Sequence, residues 1–353
     1  MRLHELQTPA LLLDLEAFEH NLATMAGVFP GNTQRPHVKA HKSTEIAKRQ
    51  RAYGHGGFTC ATIREVEVLA DAGLGEDLLL ANEVADARRL GAAIEQTGAR
   101  VTLAVDSSET IEAAVNGGVR EVLIDVNIGL PRCGVDVENA GALADLARRK
   151  GLVVRGVMGY EGHLMMVMDP ASQREKVAAA FEVLTRAHHD VGGSVVSGGG
   201  TGTFAIHREL NILTEVQCGS YALMDSQYAQ HRFDLRQAIY LVATVISTNR
   251  NGWAVADCGL KANGMDHGNP SVPGADVWFC SDEHITFAPH PEGTLGNLKV
   301  NDRVLVVPAH CDPTVAYHEQ YWTVSSIDAG LAGGSALSDL EILDRWPVDM
   351  RAW

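Results

Sequence analysis

The sequence predicts an α/β protein: a (β/α)8 barrel joined to a second, C-terminal all-β domain. Three observations carry that prediction. Between about residues 35 and 225, a short β-rich apolar run, a loop and a helical pattern follow one another eight times. The first of these runs, RPHVKA, is not followed by the glycine-rich turn that a doubly wound open sheet usually carries. Beyond about residue 235 the texture changes to alternating strands punctuated by Gly, Asn and Pro, with helical periodicity nearly absent.

In chain order, PALLLDL reads as a strand within an N-terminal segment, 1–14, that joins the β domain. The barrel is expected over 15–232, with strands RPHVKA, GFTCAT, DLLLAN, VTLAVDS, EVLIDVN, VVRGVMGY, SVVSGG and TEVQCGS. Helical stretches such as STEIAKRQRA, REVEVLADAG and ENAGALADLARRK separate most of them. The β domain, 233–353, is expected to use AIYLVATVISTN, GWAVADCG, DRVLVVPAH and YWTVSSID.

Composition narrows the partners. A chain of 353 residues suits one large domain plus a smaller one, and 46% hydrophobic residues with many glycines fits an α/β enzyme. The net charge of -15 repels nucleic-acid phosphates and anionic membranes, which favours a small-molecule partner. The six cysteines form no CxxC pair, as expected of reduced thiols. MRLHELQTP has no apolar core and no run reaches membrane-spanning length, so the expected location is cytoplasmic.

Active residues of a barrel gather at the carboxyl ends of its strands. If RPHVKAHK is a strand, His37, Lys39 and His41 share one face. Either that face is solvated, or Lys39 is tuned to lose its proton and form Schiff bases with carbonyl compounds. Strand five leads into NIGLPRCG with Arg132, and strand six into GYEGH with Tyr160 and His163. The next two strand ends are glycine-rich: SGGGTGT, with Gly200, Thr201 and Gly202, and QCGSYALMDS, with Gly219, Ser220 and Tyr221. Loops after strands seven and eight commonly bind phosphate, since small residues let backbone N–H groups approach the oxygens; a tight turn is the alternative. A phosphate cradle opposite a reactive lysine points to pyridoxal 5′-phosphate. Arg132 suits the cofactor's phenolic oxygen or an ordinary ion pair; Tyr160 suits its ring face or the core.

A second constellation lies in VVPAHCDPTVAYHEQYW. If AHCD continues a strand, His310 and Asp312 project together and Cys311 points away. The pair is either a hydrogen-bonded His–Asp or an open divalent-metal site. His284, in SDEHI, is a weaker candidate beside an exposed-loop reading.

Taken together, PALLLDL, PHVKAHKS, IGLPRCG, GGGTG, VQCGSYALMD and PAHCDPTV resemble the fold-type III pyridoxal-phosphate enzymes related to alanine racemase, specifically the D-threonine aldolase and D-serine dehydratase-like group. The resemblance spans almost the whole chain in order. It implies that Lys39 carries the cofactor and that His310 and Asp312 bind a divalent metal beside it. Dehydratases of the group tend to carry H-x-C and the aldolases H-x-D, so Asp312 favours an aldolase. An oxygen ligand favours Mn²⁺ or Mg²⁺, with Zn²⁺ and Co²⁺ also compatible. The implied reaction is a metal-dependent retro-aldol cleavage of a D-3-hydroxy amino acid, of D-threonine or 3-hydroxyaspartate type, to glycine and an aldehyde. His41 or a metal-bound water is the expected base, and the D preference comes from the resemblance. The alternative is dehydration of D-serine or 3-hydroxyaspartate. A metal-independent racemase and a non-catalytic cofactor carrier, which generally lacks a second domain, come after it. The resemblance also implies a homodimer.

Overall fold

The computed structural model describes residues 1–291, 295, 297–332 and 336–353. The chain opens with β1 (Ala10–Asp14) and α1 (Leu15–Val28), passes through a one-turn 3-10 helix, Val38–Ala40, and enters α2 (Thr44–Ala52). Strands and helices then alternate: β2 (Phe58–Cys60), α3 (Ile63–Asp71), β3 (Leu78–Leu80), α4 (Arg88–Thr97), β4 (Val101–Val105), α5 (Ser108–Asn116), β5 (Glu121–Asp125), α6 (Val137–Arg149), β6 (Val153–Gly159), α7 (Pro170–Val191), β7 (Val195–Gly198), α8 (Phe204–Leu210) and β8 (Glu215–Val216). The remainder comprises β9 (Ile239–Thr248), β10 (Ala254–Ala256), β11 (Ala275–Cys280), β12 (Ile285–Pro289), β13 (Arg303–Val306), α9 (Cys311–Tyr317), β14 (Gln320–Val324), α10 (Ile327–Ala332) and β15 (Asp344–Pro347).

These elements form two compact units. The β-rich unit comprises Met1–Thr24, Ala40–Glu45 and Ser220–Asp349; the barrel unit comprises Met25–Lys39, Ile46–Gly219 and Met350–Trp353. The divisions therefore differ from boundaries at 14 and 232. Residues after Gly219 are tied into the β-rich unit: the Asn21 amide donates to Ala222 O and Arg236 O, and Ala238 N–H donates to Leu223 O.

In the barrel unit, β2 to β8 form a parallel seven-stranded sheet in sequential order. Strand alternation sorts its side chains into two layers. Leu78, Leu80, Val101, Leu103, Val105, Val122 and Ile124 pack in the core with helix residues such as Val66, Leu90, Ile111 and Leu143. Leu79, Ala104, Leu123, Met158 and Val195, one from each of five successive strands, form a separate inner cluster. Helix starts are marked by side chains that satisfy orphan N–H groups: Thr62 accepts from Glu65, Ser107 from Thr110, and Asp169 from Ser172 ahead of Pro170.

The first expected strand is not a strand. Gln34 and His37 make only isolated parallel bridges, to Val216 and Thr59, and the chain then turns into the 3-10 helix that holds Lys39. Pro36 has no N–H to give to a ladder, and its carbonyl accepts from Thr59 N–H at 2.9 Å. The expected shared face of His37, Lys39 and His41 is thereby lost.

At the amino ends of the strands lies a buried charge network that sequence reasoning did not anticipate. Arg35 donates to both oxygens of Glu215, at 2.7 and 2.9 Å, and to Asp77 Oδ2 at 2.8 Å. Arg155 donates to Asp77 Oδ1 at 2.7 Å and to Thr102 at 2.6 Å. Each buried charge thus meets an opposite one, the condition under which burial is tolerated.

The β-rich unit is an eight-stranded sheet in the order β11-β12-β10-β9-β1-β14-β15, with β13 also paired to β9. N-terminal β1 lies in its middle, antiparallel to β9 and parallel to β14. Its leucines account for this position: Leu11, Leu12 and Leu13 are all fully buried or nearly so. AHCD does not extend β13; it starts α9, with His310 as the residue before the helix and Asp312 in its first turn. Pro313 suits that first turn, where its missing N–H costs nothing.

Candidate active site

The barrel unit gathers several expected residues at the carboxyl ends of its strands. β6 ends at Gly159, so Tyr160 emerges there with a half-buried ring. Lys39 Nζ lies 5.9 Å from the centre of that ring and Arg132 Cζ 5.4 Å from it, within cation–π range. Gly200 belongs to the same cluster: a Cβ there would lie 2.9 Å from Met165 Cε and 3.5 Å from Tyr160 Cε2. Gly202 packs still closer, since a Cβ there would meet the Met165 carbonyl at 2.4 Å. Gly199, at φ +77°, turns the chain into this loop. Thr201 and Gly219 are buried in the same unit. His163 is exposed on the 3-10 turn that follows Tyr160.

Behind Arg132 stands a group of acids absent from the sequence reading. Burial drives the Asp125 carboxyl well above the usual range, and Glu83 adds to this while Arg132 opposes it. Cys133 is pushed up to about 11 by burial and by Glu83. Donor atoms of Glu83, Asp106 and Cys133 lie within 4.8 Å of one another. The only signal in the sequence was their position at successive strand ends.

The β-rich unit holds the second constellation. The Nε2 of His310 lies 3.9 Å from Asp312 Oδ1, and its Nδ1–H donates to Asp266 Oδ2 at 2.6 Å. His267 stacks on His310 at 4.0 Å, and Asp266, His267 and His310 present donor atoms within 4.8 Å of one another. This loop is held against α9 because Gly264 N–H donates to Thr314 Oγ1 at 2.9 Å, and a Cβ on Gly264 would strike Pro313 at 2.3 Å. Asp225 accepts from Cys311 N–H at 3.0 Å and fixes the start of α9. Burial raises the Asp225 carboxyl, opposed by the Tyr228 and Cys311 N–H groups. Sequence reasoning missed Asp266 and His267, although an adjacent Asp–His in a Gly- and Pro-rich loop was a usable signal.

Four expectations change. Ser220, expected to donate to phosphate, donates to Asp312 Oδ1 at 3.3 Å. Tyr221 is 0% exposed and offers a ligand no surface. His41 is fully buried and its Nδ1 accepts from Ser43 N–H at 3.2 Å, so in the neutral ring Nε2 carries the hydrogen and no lone pair remains for a base. His310 and Asp312 converge through a helix start and not along a strand. Cys311, beside them, is a buried thiol held well above its ordinary value by burial and by Asp312 and Asp225. His284 is exposed on the turn between β11 and β12.

The lysine amine, the arginine and the glycine-rich loop with the Thr201 hydroxyl together make a donor set that fits a phosphorylated aldehyde; imidazole and carboxylate fit a divalent cation. Residues 13–227 match the family model described as "Alanine racemase, N-terminal domain". The chain belongs to the alanine racemase-like family. That family is pyridoxal-phosphate-dependent, and its fold accounts for both the curled parallel sheet and the separate, mostly β unit. Within it, residues 238–324 match a second model, "Putative serine dehydratase domain". A 3-hydroxy-D-aspartate aldolase of Paracoccus denitrificans is 34% identical, covering 98% of this chain and 92% of its own. A D-threo-3-hydroxyaspartate dehydratase of Delftia sp. is 31% identical over 74% of each. The crystal structure of D-threonine aldolase from Filomicrobium marinum superposes with a TM-score of 0.87 at 34% identity, covering 99% of this chain and 97% of that one.

Proposed function

We propose that this alanine racemase-like chain is an aldehyde-lyase that cleaves a D-3-hydroxy amino acid, of D-threonine or 3-hydroxyaspartate type, to glycine and an aldehyde. The observation that carries this reading is the donor set at α9. His310 Nε2 faces a carboxylate on Asp312, and the side chain of the neighbouring Cys311 is fully buried.

In this reading Lys39 carries pyridoxal phosphate, Arg132 and Tyr160 hold its ring, and the backbone of the Gly200, Thr201 and Gly202 loop, the Thr201 hydroxyl and Gly219 hold its phosphate. When bound, the cofactor supplies an electron sink for the pair left at Cα, and a divalent cation supplies the charge that makes the β-hydroxyl acidic. His310 and Asp312 hold that cation, with Mn²⁺ or Mg²⁺ favoured by the carboxylate. Ser220 orients Asp312, and Asp266 fixes His310 with Nδ1 protonated, leaving the Nε2 lone pair for the ion. His41, whose Nδ1 accepts from Ser43 N–H, has its Nε2–H to donate. The barrel unit is the cofactor-binding domain and the β-rich unit the metal-bearing one. The protein is further proposed to be a cytoplasmic homodimer, in keeping with the family; among the described residues no helix is long and apolar enough to cross a membrane.

The test is a product assay. Purified protein with pyridoxal phosphate and Mn²⁺ is given D-threonine, D-3-hydroxyaspartate and D-serine, and glycine and ammonia are scored with and without EDTA. EDTA-sensitive glycine is the expected result. The match of residues 238–324 to a serine dehydratase model keeps a dehydratase as the second reading, and ammonia without glycine would establish it instead.

A further inference from the structure

Glu161 follows Tyr160 directly, is 0% exposed, and has no role in the reaction described above. One of its oxygens, Oε1, accepts two hydrogen bonds: from Thr203 Oγ1 at 2.6 Å and from His207 Nε2 at 2.7 Å. His207 is itself buried, with its ring edge-on to Phe181 at 4.4 Å. Thr203 closes the glycine-rich loop: its hydroxyl accepts from Gly200 N–H at 3.4 Å and its own N–H donates to Gly200 O at 3.1 Å. The loop is also gripped at Gly202, whose carbonyl accepts from the buried Gln173 amide at 3.1 Å. A second Glu161 oxygen, Oε2, and His207 Nδ1 are buried without a hydrogen-bond partner among the described residues.

A buried carboxylate with one unsatisfied oxygen is costly, and a loop made of glycines has no side chains to hold its own shape. We infer that Glu161 is a positioning residue for anion binding: through Thr203, and backed by His207, it locks Gly200–Thr203 in the conformation that receives the cofactor's phosphate. This rests on the reading of that loop as the phosphate cradle. A hydrogen bond to a charged acceptor is worth enough that its loss lowers phosphate-dependent affinity about tenfold or more.

The experiment compares equilibrium binding of pyridoxal 5′-phosphate with that of pyridoxal, which lacks the phosphate, to the cofactor-free full chain, followed by absorbance. The wild type is expected to prefer the phosphorylated form strongly. In Thr203→Val that preference falls about tenfold with pyridoxal affinity unchanged, in Glu161→Gln, which keeps one uncharged acceptor oxygen, it falls by a smaller factor, and Thr203→Ser, which keeps the hydroxyl, behaves as wild type. Should Glu161→Gln fail to fold, the two Thr203 variants decide the matter. A wild type that binds both ligands equally overturns the cradle itself. A wild-type preference that survives in Glu161→Gln and Thr203→Val, with only the melting temperature lowered, overturns the positioning role.

Discussion

Replacing Asp266 by alanine tests how the metal-bearing histidine is set. In the wild type the Asp266 carboxylate takes the Nδ1–H of His310 in a short, charge-assisted hydrogen bond of 2.6 Å, leaving Nε2 as the nitrogen that faces Asp312. Without it the ring is free to flip and the Nε2 lone pair is a weaker donor. Removing such an outer partner lowers metal affinity by about 10- to 100-fold in other sites. The Asp266 side chain is 50% exposed and that of His310 21%, so water screens the pair and the low end applies. The expected loss is therefore about tenfold, equivalent to about 1.4 kcal/mol. Asp266→Asn keeps one acceptor oxygen and is expected to fall between wild type and Asp266→Ala. Competition of Mn²⁺ against a fluorescent chelator measures the affinity, with His310→Ala as the variant that loses the ion. Unchanged Mn²⁺ affinity in both Asp266 variants would refute the reasoning.

Cys311→Ala should leave Mn²⁺ affinity and glycine production within about twofold of wild type, because the Cys311 side chain is fully buried and a hard ion such as Mn²⁺ is suited to the carboxylate and imidazole beside it; loss of the ion would contradict this. Gly202→Ala forces a Cβ against the Met165 carbonyl at 2.4 Å and should cost about 1–3 kcal/mol in stability, read as a lower melting temperature together with weaker cofactor binding. An unshifted melting curve would mean that the loop has room. Burial raises the Asp77 carboxyl, but Arg155 and Arg35 more than offset this and leave it below its ordinary 3.8. Its stabilising contribution is thus fully present above the unfolded value and is lost as pH falls through the lower folded one. Wild-type melting temperature should fall on acidification below about pH 4, and Asp77→Asn should show a flatter acid limb from a lower plateau; parallel limbs would exclude Asp77 as a source.

Much of the architecture was legible because it depends on local pattern. Short fully apolar runs such as Leu78–Leu80 and Val101–Val105, spaced by amphipathic helices, fit a parallel sheet covered on its faces, whatever the loops do. The two H-x-D and K-x-H spacings were visible for the same reason, yet their geometry was misread. Pro36 breaks the ladder before Lys39, and Pro313 favours a helix start where the sequence suggested a strand. Ser220 was assigned to phosphate from its place in a glycine-rich phrase, and only the fold shows its hydroxyl on Asp312.

By itself, then, the sequence determined which residue types the protein brings to its chemistry: a lysine after the first barrel segment, glycine-rich turns late in the barrel, and an imidazole and carboxylate two residues apart. Their periodicity and order are properties of the chain alone. Only the tertiary structure decided what orients them. Asp266 reaches His310 from 44 positions earlier, Glu161 reaches Thr203 across 42, and Arg35 meets Glu215 across 180. Hydrogen bonds are directional and effective only within a few ångströms, so partners this far apart in sequence have no pattern to announce them. The fold brings them together because β6, β7 and β8 are neighbours in one sheet, and because the Gly264–His267 loop packs on the first turn of α9.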